Sequence, residues 1–328
     1  MRTTPRNLWL RFETYHDVIY FTPESRATTD ALGCKGGWMG YFGLRAAPLG
    51  AVSPEVVTAA FFGFAPRRVA RALPDAWEVA PPERFLAARL EGVDGALRRM
   101  LGDVDLTEAA ALAVEAAAAT PVEGRVLGAA NRALPVPGEP HLALWQACTT
   151  LRESRGDGHV AALVAADLTA CEALALFGAD HDLAPAYLRE ARGWLEEEWE
   201  AAVDSLRSRG LLTGGSAPAG QTPGSSTPAG RAPEGRAPEG QAPEGQAPEG
   251  RLPQGSPATN LTPAGRALRE EVERRTDEAA ASPWRALGED RTARFAELMT
   301  PIALRLGRLN DAMRTNPMAI DPVRQLAG

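Results

Sequence analysis

The chain has 328 residues, of which 45% are hydrophobic, and a formal net charge of −7 at pH 7. This length is sufficient for two ordinary domains with buried cores. The three cysteines are odd in number and have neither CxxC spacing nor a nearby histidine pair, which argues against a disulfide scaffold and a structural zinc site. An acidic chain does not attract nucleic acid through its overall field, so DNA binding would require a locally basic face.

The N-terminal stretch shows no targeting signal. It reads MRTTPRNLWLRFETYHD and lacks the apolar core and the small-residue cleavage site of a signal peptide. No apolar run approaches the ~18 residues that a membrane helix needs. We therefore expect a cytoplasmic protein that makes no membrane contact.

Residues 11–22 fit two patterns. Val18, Tyr20 and Phe21 would suit a strand, but the preceding aromatic and apolar residues recur at helical spacing, and we favour a helix. The later helices of this half are indicated by a hydroxyl cap followed by proline, or by an apolar stripe. They are predicted at 23–33, 54–65, 82–101 and 107–119.

Residues 36–50, GGWMGYFGLRAAPLG, alternate glycines with aromatic residues. Glycines at this spacing allow close helix packing or leave room for a ligand, and both alternatives stay open. Because the aromatic residues concentrate before Phe85, a pocket would form most readily here. The candidate ligand-binding residues of this half are His16, Tyr20, Trp38, Tyr41, Phe42 and Arg45.

Two of these candidates also have a purely structural interpretation. His16 would then be a core histidine with its hydrogen bonds satisfied, and Arg45 would form an ion pair with Glu13 or Glu55. A histidine or arginine that faces inward costs several kcal/mol unless it has a partner, so either interpretation requires one.

The segment after the proline-rich NRALPVPGEP predicts two helices with a loop, ESRGDGH, between them. Glycines flank Asp157 in this loop, so Asp157 or Gly158 would start the second helix. One hypothesis makes Arg155, Asp157 and His159 a ligand-binding polar cluster at the domain junction. In the alternative, Asp157 is a helix cap and Arg155 its ion-pair partner.

Residues 185–213 predict two short helices joined by a tight turn and followed by an outgoing strand, which is a helix-turn-helix with a wing. The return strand and the next helix resume at Asn260. An apolar stripe on the second helix supports this arrangement. It consists of Leu195, Trp199, Val203 and Leu206.

Several stretches together resemble one protein family. They read YHDVIYFTPE, WMGYFGLRAAPLG, NRALP, LRESRGDGHVAALVAA, RGWLEEEWEAAVDSLRSRGLL and LTPAGRALREEVERRTD. They resemble a family of actinobacterial proteins that carry a helix-turn-helix domain and mostly lack an assigned function. The layout of residues 194–277 is also similar to the MarR regulators, which implies a recognition helix, a wing and a dimer-forming helix, and hence a homodimer.

The charges of the predicted recognition helix do not favour DNA. Its exposed face carries four glutamates in the first turns, whereas specific readout commonly uses Arg, Lys, Asn or Gln there. Glutamate can accept a hydrogen bond from cytosine, so DNA binding stays open. Its candidate contacts are Arg189, Arg192, Arg207 and Arg209.

Residues 214–258 contain four copies of APEG within a five-residue repeat. A segment with almost nothing to bury is predicted to be disordered, and lengthening a wing loop to this extent costs only about 2 kcal/mol in closure entropy. We interpret it as a tolerated insertion in the wing. A helix follows at Thr262-Pro263, another spans residues 292–309, and 311–328 is expected to be a flexible tail.

The predicted fold is mainly α, with an N-terminal helical bundle and a C-terminal winged helix-turn-helix that has a two-stranded wing. The predicted domains are residues 1–125 and residues 126–213 with 259–310. The leading hypothesis is a non-enzymatic, regulator-like protein that binds a small molecule in the aromatic N-terminal region. The alternatives are a secondary-metabolism enzyme or binding protein with a pocket at the domain junction, and a protein–protein surface on the acidic helix.

The enzyme hypothesis lacks a recognisable catalytic motif. The chain has no nucleophile elbow, Walker loop, dinucleotide fingerprint or metal-spaced His/Asp/Glu set. An enzyme would therefore depend on dispersed acid–base groups, namely His16, Arg45 and His159. No catalytic residue, cofactor or metal is assigned.

Overall fold

The computed structural model describes residues 4–214, 259–314 and 316–326. The repeat at 214–258 lies outside the described residues except for residue 214. The fold class is confirmed, because the described residues are mainly helical with a two-stranded antiparallel sheet. The helices before residue 140 are α1 Pro5–His16, α2 Pro23–Leu32, α3 Gly37–Ala46, α4 Pro54–Ala60, α5 Pro66–Ala72, α6 Asp75–Val79, α7 Pro82–Leu101, α8 Thr107–Ala118 and α9 Val126–Arg132.

The remaining elements carry the helix-turn-helix and then return to the N-terminal half. The helices are α10 Pro140–Ala165, α11 Ala170–His181, α12 Pro185–Arg192, α13 Glu196–Ser208, α14 Pro263–Ala279, α15 Ser282–Leu287, α16 Glu289–Leu309 and α17 Pro322–Leu326. The wing strands are β1 Leu212–Thr213 and β2 Asn260–Leu261, in which Leu212 pairs with Leu261.

The ambiguous residues 11–22 are helical. Helix α1 ends at His16, and a single 3-10 turn, Asp17–Ile19, continues it. Helix α2 starts at Pro23, and α7 spans the predicted range. Proline in the first turn starts these helices because its missing N–H would have no intrahelical partner there.

The larger of two hydrophobic clusters combines residues from both ends of the chain. Its members come from α1, α3, α7, α8, the first half of α10, and α15 and α16. The largest fully buried side chains are Trp145, Tyr15, Phe12, Phe42, Phe85 and Phe295. The cluster thus draws on residues on both sides of the domain boundary predicted at residue 125, while the domain assignment itself stays a prediction.

The prediction of a loop at ESRGDGH is wrong, because the segment lies inside the 26-residue helix α10. Asp157 does not begin a helix of its own, and instead its carboxylate satisfies a free backbone N–H in the first turn of α9. Its Oδ2 accepts a hydrogen bond from the Gly128 backbone N–H at 2.8 Å. Gly158 permits close packing, because a Cβ there would lie 3.0 Å from the Cβ of Ala279 on α14. The glycine at position 158 is therefore explained by tertiary packing and not by a turn.

The second hydrophobic cluster forms the winged helix. It contains residues of α11, α12 and α13, the wing and Val272 of α14. Trp199, Val203 and Leu206 are buried as predicted, but Leu195 is 46% exposed. Leu195 stands at the cap position before α13, in an extended conformation, so it does not share the buried face of the helix.

The described part of the tail predicted to be flexible packs against the protein. Met313 and Ile320 are buried, and Pro322 of α17 lies against Gly307 of α16. Within the described ranges, no single helix combines the length and apolar character needed to cross a bilayer. Helices α10 and α11 meet that criterion only as a pair, with a bend of 103° between them.

Candidate functional site

A small buried cavity lies where α1, α3, α7, α9 and α10 meet. Its volume is about 10 Å³, which is room for about one water molecule. Of the predicted ligand-binding residues, His16, Tyr20 and Arg45 line it. The other lining residues are Ile19, Leu44, Arg89, Asn131, Trp145, Thr149 and Glu153.

A buried ion-pair network forms one wall of the cavity. Arg45 Nε and Nη2 donate to the two carboxylate oxygens of Glu153 at 2.9 and 3.0 Å. Arg152 Nη1 donates to Glu153 Oε2 at 2.8 Å, and Arg152 Nε donates to Glu13 Oε1 at 3.0 Å. Arg45 therefore forms the buried ion pair of the structural interpretation, but its partner is Glu153 and neither Glu13 nor Glu55.

The pKa of Glu153 reflects this network. Burial acts to raise the pKa of its carboxyl, but Arg152 and Arg45 outweigh burial and hold the pKa well below its usual range. Arg45 shows the complementary effect, because burial acts to lower its pKa and the Glu153 carboxylate raises it. Both groups are therefore charged at neutral pH.

Arg89 also lines the cavity, and its hydrogen-bond partners are neutral. Its Nη2 donates to Gln146 Oε1 at 2.9 Å and its Nη1 to Asn131 Oδ1 at 3.3 Å. The guanidinium lies 5.1 Å from the centre of the Trp145 ring. Burial lowers the pKa of Arg89 to about 10. The group is still protonated at neutral pH, so it places a positive charge at the cavity.

His16 has one engaged and one unengaged ring nitrogen. Its Nδ1 lies 2.9 Å from Thr149 Oγ1, whereas the buried Nε2 has no hydrogen-bond partner among the described residues. The ring stacks on Trp145 at a centroid distance of 6.2 Å and meets Tyr20 edge-on. Burial lowers the pKa of His16 well below its ordinary value, so the imidazole is neutral.

The aromatic residues of α3 pack beside the cavity and do not line it. Tyr41 lies between Arg45, whose Nη1 donates to its hydroxyl at 3.0 Å, and Phe64, at a ring distance of 5.5 Å. Trp38 and Phe42 also contact Phe64. Gly40 provides close helix packing, because a Cβ there would lie 2.8 Å from Thr29 Cβ. Packing thus accounts for this glycine.

The second predicted polar cluster lies further along α10 and faces α9 and α14. Arg155 pairs with Glu273 and Asp277 of α14, at 3.3 and 3.0 Å. His159 Nδ1 lies 2.9 Å from Thr276 Oγ1. Neither Arg155 nor His159 lines the cavity that His16 and Arg45 line. An enzyme that requires all three of His16, Arg45 and His159 in one cavity is therefore not supported by this geometry.

The four arginines predicted to contact DNA all have partners within the protein. Arg189 pairs with Glu196, Arg207 with Asp204, and Arg209 with Glu172. Arg192 lies 4.5 Å over the Phe64 ring. The solvent-exposed face of α13 is acidic and carries Glu196, Glu197, Glu200 and Asp204.

The turn between α12 and α13 is held against the loop before α5. The Ala65 N–H donates to the Arg192 carbonyl at 2.9 Å, and Trp194 Nε1 donates to the Gly63 carbonyl at 3.1 Å. Arg67 forms a bidentate ion pair with Glu198 in the first turn of α13. The first turn of a recognition helix is the part that reads base edges, and here it contacts the N-terminal half of the protein.

The sequence comparison agrees with this geometry. The chain matches a helix-turn-helix family over residues 5–237 and 241–310. It belongs to this helix-turn-helix family. Comparisons with curated proteins and with solved structures found no match.

Sequence reasoning missed the residues that complete this site in the helix-turn-helix protein. Arg89 has the appearance of a surface arginine on an amphipathic helix, and Arg152 and Glu153 are adjacent charges within an apparently polar segment. A signal was available for Glu153, because it lies four residues after Thr149 and eight after Trp145, on one face of a helix. The contact between Gly63 and Trp194 had no such signal, since it joins residues 131 positions apart.

The described residues were also compared with the ligand sets of metal sites, which consist of His, Cys, Asp and Glu side chains. No group of three or more His, Cys, Asp or Glu side chains placed for a metal ion occurs in the described ranges. Cys34, Cys148 and Cys171 are all free thiols and buried.

Proposed function

We propose that this helix-turn-helix protein is regulator-like and that it binds a small molecule at the cavity lined by His16, Arg45 and Arg89. One observation carries the proposal. The cavity and the helix-turn-helix turn are joined by consecutive contacts, from Arg45 to Tyr41, from Tyr41 to Phe64, and from Phe64 to Arg192. A ligand that moves Arg45 would therefore act on side chains that support the turn.

DNA binding forms the second part of the proposal and requires a change at the turn. In the structure, Gly63 contacts Trp194 in the turn and Arg67 pairs with Glu198 in the first turn of α13. The exposed face of α13 carries four acids, which repel phosphates. We infer that α13 reaches DNA only when the contacts with residues 63–67 are released. We also propose a similarity to MarR regulators and a homodimer from the layout of residues 194–277, an actinobacterial origin from the family resemblance, and a cytoplasmic location from the cysteine pattern.

The double variant Arg67→Ala/Arg68→Ala tests this release. It removes the ion pair with Glu198 and the hydrogen bond from Arg68 Nη2 to the Glu190 carbonyl at 2.7 Å. We expect faster hydrogen exchange of the amides at 190–198, and retention of genomic DNA fragments in a low-salt gel shift. The wild-type protein should show neither.

Arg71→Ala is the matched control, because Arg71 is exposed on the same helix and forms no ion pair within the described residues. It should behave as the wild type. Equal DNA retention by all three proteins would contradict control by this contact. Retention by none of them at micromolar concentration would exclude DNA binding and leave the ligand-binding part of the proposal.

A further inference from the structure

We propose that the cavity binds a compact monoanion, either a free inorganic anion or the carboxylate group of a small molecule, with Arg89 as its counter-charge. This inference rests on the proposed small-molecule function and specifies the charge of the ligand. Its basis is the arginine and histidine donors that converge on one buried space.

Arg89 is the main reason to expect an anion. The residue is only 4% exposed, its guanidinium donates to the neutral amides of Asn131 and Gln146, and its Nε has no partner among the described residues. Within the described ranges it forms no ion pair. A buried guanidinium without a counter-charge is unfavourable, and a bound anion would remove that cost.

The charges around the cavity do not cancel. Arg45, Arg89 and Arg152 are positive, whereas the ion pairs of Glu13 and Glu153 among the described residues are all formed with Arg45 and Arg152. Asp17 is the remaining buried carboxyl nearby. Burial and the neighbouring Glu13 raise its pKa well above the ordinary value, which favours the neutral form. Three positive charges therefore face two negative ones.

His16 supplies a second donor for the anion. If the Thr149 hydroxyl donates to Nδ1, the proton of the neutral imidazole is on Nε2, which is buried and without a partner in the described structure. Glu153 also lines the cavity, but Arg45 and Arg152 occupy its two oxygens. Among the residues that line the cavity, Arg89 Nε and His16 Nε2 are the buried nitrogens without a partner in the described structure.

The size of the cavity restricts the ligand. A volume of about 10 Å³ holds about one water molecule, so the first anion to fit is a single atom in place of that water, or one oxygen of a carboxylate in the same position. A larger ligand would require the walls to move. This makes bromide and formate suitable probes.

Thermal unfolding of the full chain at constant ionic strength tests the inference. We expect the Tm to rise and then saturate with sodium bromide or sodium formate, and to remain unchanged with formamide, which has the shape of formate without its charge. Response to both anions indicates a free-anion site, and response to formate alone indicates a carboxylate site. Arg89→Met should weaken the response by roughly tenfold or more, because it removes a charged hydrogen-bond donor.

Arg98→Met is the matched control, since Arg98 lies on the same helix with a side chain that is 62% exposed. It should respond as the wild type does. A crystal of the wild-type protein grown with bromide provides a measurement that does not depend on a variant. Its anomalous difference map should contain a peak between Arg89 and His16.

Two results would overturn the inference. One is the absence of both a saturable anion response and a bromide peak in the wild-type protein. The other is an equal response in Arg89→Met and Arg98→Met. If a neutral compound binds in the cavity while anions do not, the anion inference fails and the proposed small-molecule function remains.

Discussion

Arg45 and Glu153 form a bidentate ion pair whose side chains are 10% and 1% exposed. In such a place each charge depends on the other, because the cost of removing it from water is large. Arg26 and Asp30 form an ion pair of similar length, 2.8 Å, but both side chains are about half exposed. Solvent screens that pair, so it contributes little to stability.

These two pairs give a prediction about stability. Arg45→Met leaves Glu153 with Arg152 alone, and we expect the free energy of unfolding to fall by about 3–5 kcal/mol. Arg26→Met should change it by less than about 1 kcal/mol. Urea denaturation of both variants measures the two losses of unfolding free energy. Equal losses would contradict the argument that burial makes the Arg45–Glu153 pair more important for stability.

His159 gives a prediction about pH. Burial lowers its pKa to about 4 from the ordinary 6.5, so the folded protein binds fewer protons than the unfolded chain between these values. Its contribution is fully present above pH 6.5 and is lost as the pH falls towards 4, by at most on the order of 3 kcal/mol. We expect His159→Gln to lose less stability than the wild type between pH 7.5 and 4.5.

The comparison must be made between the two proteins at each pH. Burial raises the pKa of Asp157 to about 6, and this group acts in the opposite direction over an overlapping range. Its effect is common to both proteins and cancels in the difference. Identical pH profiles of the unfolding free energy would contradict the assignment to His159.

At the scale of elements, the close contact between α2 and α7 depends on a residue without a side chain. Gly92 is buried on α7, and a Cβ there would lie 2.8 Å from the backbone Cα of Ser25. Gly95 is on the same helix, but a Cβ there would approach only the flexible side chain of Glu24, at 3.3 Å. A flexible side chain can move away from a new Cβ more easily than the backbone of a packed helix can.

These two glycines form a matched pair of substitutions. Gly92→Ala should destabilise the protein by about 1–3 kcal/mol, because the two helices must move apart. Gly95→Ala should be neutral or stabilising by up to about 1 kcal/mol, since alanine favours a helix. Thermal unfolding measures both effects, and similar Tm values for the two variants would contradict the packing argument.

For the whole molecule, the C-terminal helices complete the core of the N-terminal half. Trp284 stacks on Phe12 at a ring distance of 6.0 Å and contacts Phe295 at 5.3 Å. Met299 and Leu306 of α16 are fully buried in the same cluster. The largest core therefore includes residues that follow the winged helix in the sequence.

Truncation tests this dependence. A chain that ends after residue 281 loses the burial of Trp284, Phe295, Met299 and Leu306, which is roughly 1.5–3 kcal/mol for each side chain. That sum is comparable with the total stability of an ordinary domain, so we expect loss of cooperative unfolding in a thermal scan. A chain ending after residue 310 keeps all four and should still unfold cooperatively. Cooperative unfolding of the shorter chain would contradict the argument.

Local patterns were sufficient for most helices and for the winged helix. Pro23 and Pro82 mark helix starts, and Trp199, Val203 and Leu206 repeat on one buried face, because capping and periodicity depend only on near neighbours. The same local rules failed at Gly158. They could not indicate that Arg125 and α14 would pack closely against this glycine within a continuous helix.

The candidate site could be predicted only in part. The sequence indicated that His16 and Arg45 would need partners, since buried polar groups require them. The identity of those partners, Thr149 and Glu153, depends on how α1, α3 and α10 pack together. Arg89 became a candidate only when the structure placed it in the same cavity.

The acidic recognition helix was evident from the residues themselves, because charge on an exposed helix face is a local property. Its contact with residues 63–67 was decided by tertiary structure alone. Gly63 and Trp194 are 131 positions apart, and neither residue carries a pattern that specifies the other. Local sequence encodes helices and their faces, whereas the pairing of distant faces depends on how all the apolar surfaces are buried together.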